Sequence, residues 1–244
     1  MTAMWGRLVL VEMRKLIDTR AGYWLSITIG LATATIVALM LIFAEPAEQS
    51  FVTFFVLALL PVAFLLPVLG VLLVTTEWSQ RTALTTFALV PVRHRILGAK
   101  LAASIVAAVV SVLASLVAAA AATAIAGATG GTGSWRFDAV MIVYAMLFQV
   151  INVVMGLAFG MLLLSTPLAI VLLLLLPTAW SVVGGIVGGL RDVAEWLDLG
   201  LTMEPLLTPD VTAGQWARLV VSVALWVLLP LLAGAVRIHR RDVV

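Results

Sequence analysis

Six runs of twenty-two to twenty-six residues carry almost no charge, and they restrict what this chain can fold into. They are Gly22–Phe43, Phe51–Thr75, Leu101–Ala126, Ala139–Leu164, Pro167–Leu190 and Gln215–Val236, and Arg218 is the one charged residue among them. About 18–20 apolar residues suffice for a helix to cross some 30 Å of hydrocarbon. Each run is therefore long enough to span a bilayer. A membrane β-barrel needs short segments that alternate in polarity, and these Ala/Leu/Val runs do not alternate. With 64% hydrophobic and 11% charged residues, and a mean hydropathy of +1.21, the chain lies outside the range of ordinary soluble domains. The expected fold is an all-α membrane protein, with residues 1–244 forming a single transmembrane domain of six helices.

The charges fall unevenly between the two ends of such a bundle. Eleven of the 14 basic residues and four acids share the end that holds both termini, a balance of +7. The other end has three basic residues and eight acids, a balance of −5. By the positive-inside rule both termini are cytoplasmic. The first run is too long for a signal-peptide core and follows about twenty residues with charges of both signs, so it reads as a retained span. Cysteine is absent, which excludes disulfides and thiolate chemistry. Twelve of the 14 basic residues are Arg, a hint of a GC-rich bacterial genome and hence of a bacterial cell membrane.

Residues 1–20 hold an amphipathic helix from Met4 to Asp18. Trp5, Val9, Leu10, Met13, Leu16 and Ile17 share one arc at 100° per residue, opposite Arg7, Arg14, Lys15 and Asp18. It is expected to lie among the lipid headgroups, with a plain basic flank as the alternative. Pro61 and Pro67 interrupt the second run and predict a kinked helix whose freed carbonyls need other donors. Residues 191–214 form the longest outer segment, with a short surface helix at Arg191–Leu199. Gly184, Gly185, Gly188 and Gly189 suit a close helix crossing, either within the chain or at a dimer seam. No soluble domain or internal repeat is visible.

The runs contain no ionisable group near their middles, whereas ion-coupled carriers usually place one there. Gln149 and Asn152 are the strongly polar residues inside. Three apart on one helix, they read either as interhelical glue or as lining of a translocation path. His94 and His239 lie in basic stretches, and no HExxH, aspartate dyad or metal-ligand cluster occurs, so no catalytic or metal site is expected. No phosphate-binding Gly-x-x-x-x-Gly-Lys-Ser/Thr loop is present either. Any nucleotide hydrolysis must then come from another polypeptide.

One charged break stands out, residues 76–95. Glu77 and Arg81 have the i, i+4 spacing of a helical ion pair, and Ala83, Leu84, Phe87 and Ala88 form an apolar stripe before Pro91. Arg93, His94, Arg95 and Lys100 follow. The pattern predicts a short amphipathic helix able to enter a partner's groove, or else a solvated loop that obeys the charge rule.

Val11-Glu-Met-Arg-Lys-Leu-Ile-Asp-Thr-Arg-Ala-Gly before the first span, and Thr76-Glu-Trp-Ser-Gln-Arg-Thr-Ala-Leu-Thr-Thr-Phe-Ala-Leu-Val-Pro before the third, resemble the corresponding stretches of bacterial type-2 ABC exporter permeases, actinobacterial members above all. The six-span plan and basic C-terminal tail extend the likeness over the whole chain. The resemblance implies a half-transporter that pairs with a second permease subunit, identical or related, above two copies of a cytoplasmic ATPase that carry the ATP and Mg. This chain would bind no cofactor and no nucleic acid. The resemblance assigns ATPase coupling to Glu12, Arg14 and Lys15 and to Glu77–Pro91, with Glu77, Arg81 and Phe87 foremost. It makes Phe51–Thr75 and Pro167–Leu190 the walls of the path and Arg191–Gly214 its outer cap. The implied activity is export of an amphipathic or lipid-like cargo such as an antibiotic, peptide or lipid. A non-transporting scaffold or sensor that docks a cytoplasmic partner is the alternative.

Overall fold

A computed structural model describes residues 2–80, 93–131 and 133–240. Among them helices α1 (Thr2–Asp18), α2 (Arg20–Phe43), α3 (Phe51–Ser79), α4 (Arg93–Ala128), α5 (Val140–Leu163) and α6 (Thr166–Ile186) come first. Short helices α7 (Arg191–Leu197) and α8 (Leu199–Met203) follow, and α9 (Ala213–Arg240) closes the chain with one π-helical turn at Ala224–Leu228. Six of these, α2 to α6 and α9, are long and apolar enough to cross a bilayer. The chain is a helical, multi-pass membrane protein, and the six spans coincide with the six apolar runs.

The helix ends differ from the sequence boundaries in instructive ways. Helix α3 runs on through Glu77 to Ser79, and α4 begins at Arg93, well before Leu101. Thr76–Ser79 and Arg93–Arg95 therefore belong to helices and not to the break read from the sequence over residues 76–95. Helix α6 stops at Ile186, because the glycine-rich Gly188–Leu190 turns off as a 3-10 segment.

The interior is built around α3. Helix α5 lies along it at a distance that only glycine permits: a Cβ on Gly156 would stand 1.9 Å from Pro67 O, and one on Gly70 2.4 Å from Val153 O. Small residues let membrane helices approach until backbones touch, and dispersion then holds them. The helix runs on through Pro61, and side chains from neighbouring helices reach the carbonyls beside it. Ser115 Oγ donates to Ala58 O at 3.4 Å and Gln149 Nε2 donates to Leu59 O at 3.2 Å. Phe54, Phe55, Leu59 and Val74 of α3 are among the most buried side chains.

Helices α2 and α6 lie at the periphery. Within α2 only Gly22 and Val37 are buried, while Leu31, Ile42 and Phe43 are exposed. Such outward apolar faces are what hydrocarbon solvates. The α1–α2 corner is tight: a Cβ on Gly22 would stand 1.9 Å from Leu16 O, and Thr19 Oγ1 caps α2 by accepting from Gly22 N at 3.1 Å.

Alternation of the spans separates two ends. The basic end holds α1, the C-termini of α3 and α5 and the N-termini of α4 and α6. There Thr166 Oγ1 donates to Thr75 Oγ1 at 2.8 Å, and Arg237 of α9 bonds Leu162 O. The acidic end holds the loops around Ser50 and Ser134, which meet in one bridge, and the segment Gly188–Thr212. That segment folds back into the bundle. Leu199, Met203 and Leu206 are buried in the same cluster as Val62, Leu66 and Leu173, and Trp226 Nε1 donates to Leu197 O at 2.7 Å.

Candidate functional site

Two regions concentrate polar side chains against the apolar body. The first is an ion cluster at the basic end. Lys100 Nζ sits 2.7 Å from Glu12 Oε2 and 2.9 Å from Glu77 Oε1, and donates to Leu73 O at 2.8 Å. Lys15 Nζ lies 2.6 Å from Glu12 Oε1 and 2.6 Å from Glu77 Oε1. Two cations and two anions alternate in a closed ring that joins α1, α3 and α4.

Each element supplies its part for a local reason. Glu12 and Lys15 are three apart on α1 and so project from neighbouring positions on one side. Met13 and Leu16 carry that side of α1 into the bundle, against Leu73, Leu97 and Leu101. Trp5, Leu10 and Ile17 stay exposed. The apolar arc of α1 is thus divided between the protein interior and its surroundings. Glu77 reaches the ring because α3 runs on past Thr75, and Lys100 because α4 starts early.

Glu12, Glu77 and Lys100 are buried, at 4%, 7% and 3% exposure. Charges taken out of water at this depth cost several kcal/mol each unless closely paired, and here each bonds two oppositely charged partners. Lys15 is the wet member, its side chain 34% exposed. Burial works against its charged form, but the hydrogen bonds and charges of Glu12 and Glu77 outweigh it and raise its pKa above the ordinary value.

The sequence-derived coupling residues therefore separate. Glu12, Lys15 and Glu77 come together with Lys100, which had been grouped only with the basic stretch after Pro91. Arg14 is exposed on the outer side of α1. Arg81 and Phe87, and with them the Glu77–Arg81 pair and the apolar stripe, lie outside the described residues. Lys100 could have been found by extending the helical period back from Leu101, which places it on the turn before Ser104. Its partner on α1 carries no local signal.

The second region is a cleft of about 500 Å³ between α3, α5, α6 and the folded-back segment. Phe64, Pro67, Met155 and Pro177 contribute apolar walls, and Asn152, Thr178, Ser181 and Glu204 contribute polar groups. It joins a more polar vestibule of about 840 Å³ through Ser181, Gly200 and Glu204, which line both. In the vestibule Arg218 bonds Glu195 at 2.8 Å and lies over the Trp196 ring.

Gln149 and Asn152 part company here. Gln149 is fully buried against α3 and acts as the interhelical tie described above. Asn152 faces the cleft, with its amide nitrogen donating to Phe148 O at 2.9 Å. Gln149 is thus an interhelical tie, while Asn152 lines a cleft. Gly184 packs within the chain, since a Cβ there would meet Ala194 Cβ at 2.6 Å, while Gly185, Gly188 and Gly189 face open space.

Comparisons with protein-family models, curated proteins and solved structures found no match.

Proposed function

We propose that the chain is the membrane-spanning subunit of an ATP-driven exporter of the type-2 ABC kind, powered by a separate cytoplasmic ATPase. The observation that carries this reading is the ion ring of Glu12, Lys15, Glu77 and Lys100. It fastens an interfacial helix to the two spans that flank residues 81–92, so that a push on any of the three moves all of them. The basic end is then the cytoplasmic end, by the charge asymmetry.

The two regions divide the work. Arg14 is open to a partner at the basic end, and the ring behind it passes displacement to α3 and α4. Helix α3 bears on α5 through the Gly156–Pro67 contact and forms one wall of the cleft with α6. A shift of α3 against α6 changes the width of that cleft. The apolar wall with few polar groups suits an amphipathic or lipid-like cargo, and the folded-back segment at the acidic end closes the outer side. The exposed faces of α2 and α6 leave room for a second permease subunit.

Affinity purification of the tagged full chain from its native membranes tests this. The reading expects a nucleotide-hydrolysing subunit to copurify and ATP turnover by the complex. A chain that purifies without such a partner and moves cargo on a proton gradient alone contradicts it.

A further inference from the structure

The cleft and vestibule share a charge pattern that the exporter reading does not explain. The vestibule carries Arg191, Glu195, Asp198, Glu204 and Arg218. Glu195 is paired with Arg218, and Asp198 is buried at 2% exposure and caps α8 by accepting from Leu201 N at 3.2 Å. Arg191 stands in the outer vestibule and does not line the cleft. Glu204 lines both spaces, and among the described residues no ion pair or hydrogen bond engages its carboxylate. Among the described residues it is the one charged residue that lines the cleft. The cleft's other polar groups do not offset it: one Asn152 N–H and the Thr178 hydroxyl proton go to Phe148 O and Leu174 O, and the second Asn152 N–H and the Ser181 hydroxyl are neutral donors. Among the described residues no cationic side chain lines the cleft.

We infer that this cleft binds amphipathic cations, with the apolar body between α3 and α6 and a protonated amine at Glu204 and the Asn152 oxygen. The volume of about 500 Å³ falls within the ordinary range for small-molecule sites, about 300–1,000 Å³. A lining whose one charge is an unpaired carboxylate favours a donor-bearing cation and disfavours an anion of equal apolarity, which would meet Glu204 with only neutral donors to offset it. The inference names the cargo class of the proposed path. As transport it rests on the exporter reading; as binding it does not.

The test uses the full chain in neutral-lipid nanodiscs, without ATP or ATPase. Because the chain has no cysteine, a Thr178→Cys variant takes a single environment-sensitive fluorophore in the cleft. Three probes with the same twelve-carbon tail are titrated below concentrations that dissolve the disc: dodecylammonium, dodecyl sulfate and dodecyl glucoside. The cation is expected to saturate the signal at concentrations about fivefold or more below the other two, a modest margin because Glu204 is exposed. Glu204→Gln is expected to abolish that preference while leaving the glucoside response unchanged, and Glu48→Gln, an acid of the same end outside the cleft, to keep it. Ser181→Trp, at the junction of the two spaces, is expected to remove the response to all three. Equal titrations of the three probes, or a cation preference that survives Glu204→Gln, overturns the inference. Either result leaves the exporter reading standing, since that reading is tested by copurification of the ATPase.

Discussion

Lys100 Nζ lies 2.7 Å from Glu12 Oε2, across 88 residues of sequence, and both side chains are buried. The contact pins the helix that precedes the first span to the third span. With Glu77 and Lys15 it converts three separate elements into one mechanical unit.

Removing a single member should cost far more than removing the ring. Lys100→Met takes a buried cation from two buried carboxylates, and breaking buried pairs in this way costs about 3–5 kcal/mol. The combined Glu12→Gln, Glu77→Gln and Lys100→Met variant leaves Lys15 as the ring's one charge, at its wet edge, and should recover most of that loss. Thermal unfolding in a fixed detergent checks both. Equal destabilisation by the single and triple variants contradicts the ring's role as a neutralised unit.

The pH response follows from Lys15. Its folded-state pKa is raised, so its contribution to α1 docking is complete below the unfolded value of 10.5 and is lost as pH rises through the higher folded value. Docking should hold steady across the neutral and mildly alkaline range with respect to this group and loosen only in strong alkali. A spin label on an Arg14→Cys variant reports it. Loosening near neutral pH runs against this assignment.

The α3–α5 seam should tolerate no side chain at Gly156. With Pro67 O 1.9 Å from the position of a Cβ, Gly156→Ala must push the helices apart, and overpacking of this kind costs about 1–3 kcal/mol or more. Gly30→Ala, where nothing lies within 4 Å, should be neutral or slightly stabilising through backbone entropy. Melting temperatures of the two variants make the comparison.

Gln149 and Asn152 should respond oppositely to Leu. Gln149→Leu removes the bond to Leu59 O near Pro61, and interhelical hydrogen bonds in membranes contribute about 0.6 kcal/mol on average. A small fall in stability with unchanged ligand response in the cleft is expected. Asn152→Leu should keep stability and alter the cleft response, read from the same label at position 178.

Much of the fold could be read from the chain because hydrophobic length is a one-dimensional property. The six spans, the interfacial helix and the uneven charge all follow from runs and counts. The clasp could not be read that way. Lys100 looks like the end of a basic stretch until α4 is extended back to Arg93, and Glu77 like a loop residue until α3 is carried past Thr75. A charged residue near a span end is cheap in either setting, so local pattern does not decide between solvent and partner. The folded-back course of Leu199–Leu207 was equally hidden: the surface helix read from the sequence ends at Leu199, and the apolar residues beyond it find their partners only on α3 and α6.

The central claim is that a partner's ATP cycle reaches the cleft through the ion ring, and the distance across that cleft tests it most directly. Labels on Phe64→Cys of α3 and Thr178→Cys of α6 are followed in the purified complex with the ATPase, with and without ATP. The account predicts that ATP changes the distance when the ring is intact, and that the triple variant, which lacks the ring's ion pairs, still hydrolyses ATP without that change. An ATP-driven change that persists in the triple variant, or no ATP dependence with the ring intact, contradicts it.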